Sequence, residues 1–218
     1  MLGKTVSPRL EKLEKEFIAN GGEWKEYHIG RSFDIQTGSL VNNAYLFEGE
    51  IQRISAKSTD NGVIGSFDTD YLEDARHYEN FISVNFFGDV FYHPYRASVE
   101  MKVHVLHLHN HSFTRGTGLY ISATIRQALK NKFGYGNQLS STKLKNEEFY
   151  ISLPSLSEQI AFSFMERYIE ELEAERIEEL EAYLEATRLK NYALNADDVK
   201  SLNEFEQISS ILPPPQRK

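Results

Sequence analysis

The sequence predicts an α+β fold: a β-rich mixed head followed by one long amphipathic helix of coiled-coil type. Three observations predict it. Residues 24–154 alternate short apolar or aromatic runs with turn residues, the pattern of short strands. From Ser157 to about Tyr192 there is no Gly or Pro, and apolar side chains recur at steps of three and four. The net charge of −8 is unevenly placed: residues 1–23 carry 4 basic and 4 acidic groups, residues 24–150 carry 13 and 14, and residues 151–218 carry 7 and 14. The acidity therefore belongs to the helix and tail, and the head is free to hold a local basic face.

The elements follow in order. Pro8–Ile18 predicts a short helix, with Ser7 as N-cap, Pro8 at the first helical position, and Leu10, Leu13, Phe17 and Ile18 on one side. Asn20-Gly21-Gly22 ends it. Strands are expected at 27–29, 33–36, 51–54, 63–67, 81–85, 90–92 and 101–108, with Asn61-Gly62 and Gly88-Asp89 as turns. Leu119–Phe133 predicts a second helix, stopped by Gly134-Tyr135-Gly136-Asn137, and 138–148 reads as a polar loop. A last strand at 151–153 precedes the long helix, with Pro154 just outside it, Ser157 as its N-cap, and Gln159 and Ile160 in its first turn. About 33 helical residues would be about 50 Å long. Phe162, Met165, Ile169, Leu172, Ile177, Leu180, Leu184 and Leu189 form its apolar stripe, which shifts phase between Leu172 and Ile177. Such length favours a helix paired with another chain over one folded wholly against its own domain. The tail beyond Tyr192 reads as a short helix and then disorder at 213–218.

Composition narrows the function. A 40% hydrophobic content with 14 Phe and 12 Tyr suffices for a core, and the lack of Cys removes disulfides and thiolate metal sites. The N-terminus lacks an apolar leader, and no run of about 18 apolar residues occurs. These features predict no signal peptide, no membrane span and a cytoplasmic protein. There is no phosphate-binding Gly-x-x-x-x-Gly-Lys loop, no Asn/Asp-Pro-Pro-Tyr/Phe methylation motif and no Gly-x-Ser-x-Gly elbow, so no catalytic residues are assigned. His107, His109 and His111 would share one face of a strand, yet they lack the distant ligands of a cupin, and solvated histidines at a strand end account for them better than a metal site. Asp89 with Glu100-Met101-Lys102 loosely matches the Mg²⁺ site of restriction-type nucleases, which keeps a nuclease as one alternative.

The polar loops point elsewhere. Gln52, Arg53, Lys57, Asn61, Arg96, Arg115, Tyr135, Asn137, Lys143 and Lys145 are the candidate DNA contacts: Arg and Lys suit guanine edges or phosphate, and Asn and Gln suit adenine. Lys130 and Lys132 flank the same glycine-containing turn, where backbone can approach a ligand closely.

Several segments together resemble the specificity (S) subunits of type I, or type IIB-like, restriction–modification systems. They are 24–30 up to Gly38, Arg53-Ile54-Ser55-Ala56, Asn61-Gly62-Val63-Ile64-Gly65, Ser83-Val84-Asn85, Gly88–Tyr92, Lys132–Gly136, Ile151–Pro154 and Glu158-Gln159. The resemblance covers about residues 24–190. It implies a DNA target-recognition domain at 24–154, a spacer and dimerisation helix at 155–195, a lead-in at 1–23 and a tail at 196–218. It also implies double-stranded DNA and an adenine methyltransferase (M) subunit as partners, sometimes with a nuclease (R) subunit. S-adenosylmethionine would be carried by the methyltransferase and no cofactor by this chain. The chain holds one unit where full-length relatives hold two. It is therefore either a piece of a longer chain or a homodimer through its helix, with Phe162, Met165, Ile169, Leu172, Ile177, Leu180 and Leu184 as the seam, reading a bipartite inverted site. A scaffold that binds only protein through the helix is the remaining alternative.

Overall fold

The computed structural model describes residues 7–187 and 199–200. The expected tail helix, the 213–218 segment and Leu189 lie outside the described residues. In chain order the elements are α1 (Pro8–Ala19), β1 (Glu23–His28), the single turn α2 (Ile29–Ser32), β2 (Phe33–Thr37), β3 (Phe47–Ile54), β4 (Val63–Asp68), β5 (His77–Tyr78), β6 (Phe81–Asn85), β7 (Val90–His93), β8 (Ala97–Val99), β9 (Val103–Leu108), α3 (Arg115–Leu129), α4 (Ser141–Asn146), β10 (Tyr150–Leu156), β11 (Gln159–Ile160) and α5 (Phe162–Ala186). Short 3₁₀ turns at Asn43–Tyr45 and Asp60–Gly62 lead into β3 and β4. The α+β class is as predicted. Residues up to Glu173 form one compact unit and those from Ala174 a second.

In the first unit, a four-stranded sheet in the order β2-β9-β6-β7 divides two apolar layers. Period-two alternation assigns its side chains. Ile82, Val84, Leu106 and Leu108 face a core that holds Ile121, Ile125 and Leu129 of α3. Phe81, Val103 and Val105 face the other way, onto Ile54, Ala97 and Val99 of the second four-stranded sheet, β4-β3-β8-β5. Burial on both sides explains why every residue of β6 is buried. A third sheet, β1-β10-β11, completes the unit. Gly30 in α2 is fixed by packing: a Cβ there would lie 2.0 Å from the Lys145 carbonyl oxygen of α4.

The structure moves several boundaries. β1 begins at Glu23 because it pairs antiparallel with β10 over its whole length. β8 was unread: it is short, and its register is set by parallel pairing with β3. α3 starts at Arg115, where Thr114 and Thr117 form a reciprocal capping box. The 138–148 stretch contains α4, capped by Ser140. Ser157 is no helix cap. Ser157 and Glu158 both have positive φ (50° and 68°) and make the two-residue turn from β10 to β11. The long helix therefore starts at Phe162.

Buried polar groups in the sandwich carry a pH consequence. His93 is fully buried, accepts or donates through Nε2 at 2.8 Å to Ser83 Oγ, and has its Nδ1 3.1 Å from the Tyr95 hydroxyl. Burial pushes its imidazole down to about 4 from an ordinary 6.5. Between those values the unfolded chain binds the proton and the folded one does not. Its contribution is thus complete above pH 6.5 and is lost as pH falls towards 4, amounting to about 3 kcal/mol. Urea unfolding across this window should show that slope, and His93→Gln should reduce it by nearly one proton.

Candidate nucleic-acid interface

The loops at one end of the sandwich are drawn together by specific bonds. Asn85 is the hub. Its Oδ1 accepts from the backbone N–H groups of Phe87 and Asp89, and its Nδ2 donates to the Ala56 carbonyl and to Asp89 Oδ2. Ser58 Oγ donates to the same Asp89 carboxylate at 2.5 Å. This ties the 55–62 hairpin loop to the 86–89 turn, where Gly88 adopts φ +85° against the Phe133 ring. Phe87 packs edge-on against Tyr135, with ring centroids 5.1 Å apart, and the Leu139 N–H donates to the Phe86 carbonyl. Lys102 Nζ sits 5.1 Å from the Phe86 ring centroid.

Tyr135 is 89% exposed at the tip of a miniature hairpin closed by paired Gly134–Asn137 backbone bonds. Lys143 donates to Asn137 Oδ1 at 2.5 Å and to the Gln138 carbonyl, which anchors that hairpin to α4. Lys130 and Lys132 stand exposed at its base, and Lys132 reaches over the Phe149 ring. Charge segregation underlies the cluster, and the loop-by-loop sequence reading missed it. Residues 101–146 contain 7 Lys or Arg and no Asp or Glu, in a chain with 32 acids against 24 bases. An exposed aromatic on a hairpin that Lys130 and Lys132 precede and Lys143 braces through the Asn137 amide suits phosphate contact and base-edge contact together.

The expected contacts divide. Lys57, Asn61, Tyr135, Asn137 and Lys143 belong to this loop cluster, and Lys57 pairs with Asp60. Lys145 lies on the other side of α4. Gln52 is half-buried in β3. Arg53 is a correction. It is 1% exposed, 3.4 Å from Ser98 Oγ and 3.8 Å from Glu100, with burial lowering its pKa. A register shift between Arg53 and Ile54 turns both neighbours inward, against strict alternation. Arg96 pairs with Asp70, and Arg115 with Glu173 of α5, so neither presents a free charge.

The nuclease constellation is likewise divided: Asp89 holds the Asn85 turn, Glu100 faces Arg53, and Lys102 lies over Phe86. Among the described residues no group of three or more His, Asp or Glu could hold a metal ion. The histidines do not share a face, because β9 ends at Leu108. His107 faces the Glu79 carbonyl, while His111 stacks on Phe162 at 3.5 Å.

The expected seam on α5 is also corrected in its first half. Met165 is fully buried and Ile169 nearly so, both within the unit's own packing, and Phe162 is covered by His111. Phe164, absent from the expected stripe, packs on Phe17 with centroids 4.2 Å apart. Leu172 and Leu184 are half-buried, whereas Ile177, Leu180 and Tyr183 are 58%, 56% and 59% exposed. No helix among the described residues is long and apolar enough to cross a membrane.

The chain is 29% identical over 186 residues to the specificity subunit S.BcgI of the type II restriction enzyme BgcI from Heyndrickxia coagulans, a match spanning 77% of this chain and 52% of that protein. The chain thus spans about half the length of that relative. Its fold is similar to the crystal structure of the type I restriction–modification system S subunit from M. genitalium, with a TM-score of 0.53 at 18% identity, over 78% of this chain and 44% of the other. Residues 21–182 match the type I restriction modification DNA specificity domain, and the chain belongs to that family.

Proposed function

We infer that this chain is a non-catalytic DNA-reading unit of a restriction–modification system, which gives target recognition to a partner adenine methyltransferase. The observation that carries this reading is the basic and aromatic loop cluster around Tyr135, built largely from the acid-free stretch 101–146 and lying within the residues that match the DNA specificity family. Phosphate contacts from Lys102, Lys130, Lys132 and Lys143 would fix register on the duplex, and the amides of Asn61 and Asn137 would read base edges. The methyltransferase supplies S-adenosylmethionine and the chemistry, and a nuclease subunit can join the same assembly.

The exposed side chains of Ile177, Leu180 and Tyr183 fall at successive steps of three on α5 and support self-association there. Two copies related by a two-fold axis would present two heads to inverted half-sites separated by a fixed gap. The test is co-expression with an adenine methyltransferase and mapping of the methylated adenines. Methylation confined to a bipartite inverted sequence supports the reading. Methylation that ignores this subunit, with duplex affinity independent of salt, refutes it.

A further inference from the structure

A second feature lies on the opposite side of α4 from the Tyr135 hairpin. An open cleft of about 590 Å³ runs between β2, β5 and α4, and Gln36, Thr37, Arg76, Tyr78, Ser141 and Lys145 line it. No carboxylate contributes to its walls. Other clefts differ in this respect: one beside Met101 contains Glu100, and those along α1 and α5 contain Glu16. Arg76 is held in place, since its Nη1 donates to the Thr37 carbonyl at 3.0 Å and lies 3.3 Å from Thr37 Oγ1. The Tyr78 hydroxyl donates to the same carbonyl at 2.8 Å. Among the described residues neither Arg76 nor Lys145 has a carboxylate partner, unlike Arg53, Arg96 and Arg115.

Gln36 Nε2 is engaged by Asp34 Oδ2 at 2.6 Å, which leaves two unneutralised cations and the Ser141 hydroxyl on an open floor, and these call for an anion with several acceptor oxygens. The cleft is too open to enclose a small anion, and its shape suits a chain of anions passing along it. Ser141 and Lys145 are one helical turn apart on α4, and Lys143 between them turns to the Tyr135 hairpin. One short helix therefore carries cations into both the loop cluster and the cleft. We propose that this cleft binds the sugar–phosphate backbone of duplex DNA and contributes affinity without base selection. The proposal rests on the DNA-reading function above and assigns a division of labour within it: loops select, the cleft grips.

The experiment measures binding of the full chain, with its methyltransferase, to a target duplex and a scrambled duplex over a series of salt concentrations. The variants are the double substitution Arg76→Gln/Lys145→Gln and the charge-preserving Arg76→Lys. The double variant should weaken both duplexes by the same factor, roughly tenfold or more at low salt, and lower the log–log salt slope by about 2. Arg76→Lys should keep the wild-type slope. If the wild type binds with a salt-dependent affinity and the double variant matches it, or if the target-to-scrambled ratio changes, the cleft assignment is overturned while DNA recognition stands. If the wild type shows no salt-dependent duplex binding, both fall. Inorganic phosphate and a mononucleotide form a separate arm: saturable micromolar binding of either, lost in the double variant, would make this a small-anion site and overturn the backbone assignment.

Discussion

Met165→Asp is expected to unfold the recognition unit, while Leu180→Asp on the same helix leaves it folded. Met165 is fully buried among Ile29, Ile151 and Leu153 in the core shared with α3. Truncating such a side chain costs about 2–5 kcal/mol, and a carboxylate adds the desolvation of an unpaired charge. The sum rivals the total stability of a domain of this size. Leu180 is exposed, so its replacement removes little packing in the single chain. Its effect should appear in assembly: light scattering that finds twice the chain mass for the wild type should find one chain mass for Leu180→Asp. Circular dichroism during urea titration reads the first half of the prediction. A folded Met165→Asp protein with an unchanged midpoint would place α5 away from the core.

The second large effect is expected at the loop cluster. Reversing Lys130, Lys132 and Lys143 to Glu should reduce duplex affinity more than about 100-fold at low salt, and lower the salt slope by about 3. Lys143 also braces the Tyr135 hairpin through Asn137, so its reversal removes both a charge and a support. Lys12 and Lys15 on α1 are the control, because each already faces a glutamate one turn away. Their reversal should leave affinity within a few-fold. Fluorescence anisotropy with a labelled duplex measures both, and equal losses from the two sets would remove the loop cluster as the interface.

The sheet-rich head and the long helix were legible because periodicity reports burial, and burial organises this domain. Phe81–Asn85 reads correctly as a strand for that reason, and the expected 101–108 strand is present as Val103–Leu108. The errors came where tertiary pairing overrode local signals. Ser157 followed by a helix-compatible run looked like a cap, yet β1 continues alongside β10 and draws the chain into a tight hairpin first. Arg53 looked like a surface donor from its residue type within a polar run, and only the irregular register reveals its burial. The loop residues Lys57, Asn61, Tyr135, Asn137 and Lys143 were nameable from residue type. Their convergence was not, because it depends on Asn85, whose side chain links segments distant in sequence. The first half of α5 shows the same limit. An apolar stripe announces a buried face but does not say whether the cover comes from its own chain.

The aromatic junction between α1, β1 and α5 gives the protein a built-in optical reporter. Trp24 is the sole tryptophan of the chain, and its indole lies edge-on to Phe17 and Phe164, at 5.4 and 5.8 Å. Selective excitation of that indole therefore monitors one place, the seating of the first turns of α5. Loosening of the helix root would shift its emission to the red without any label being introduced.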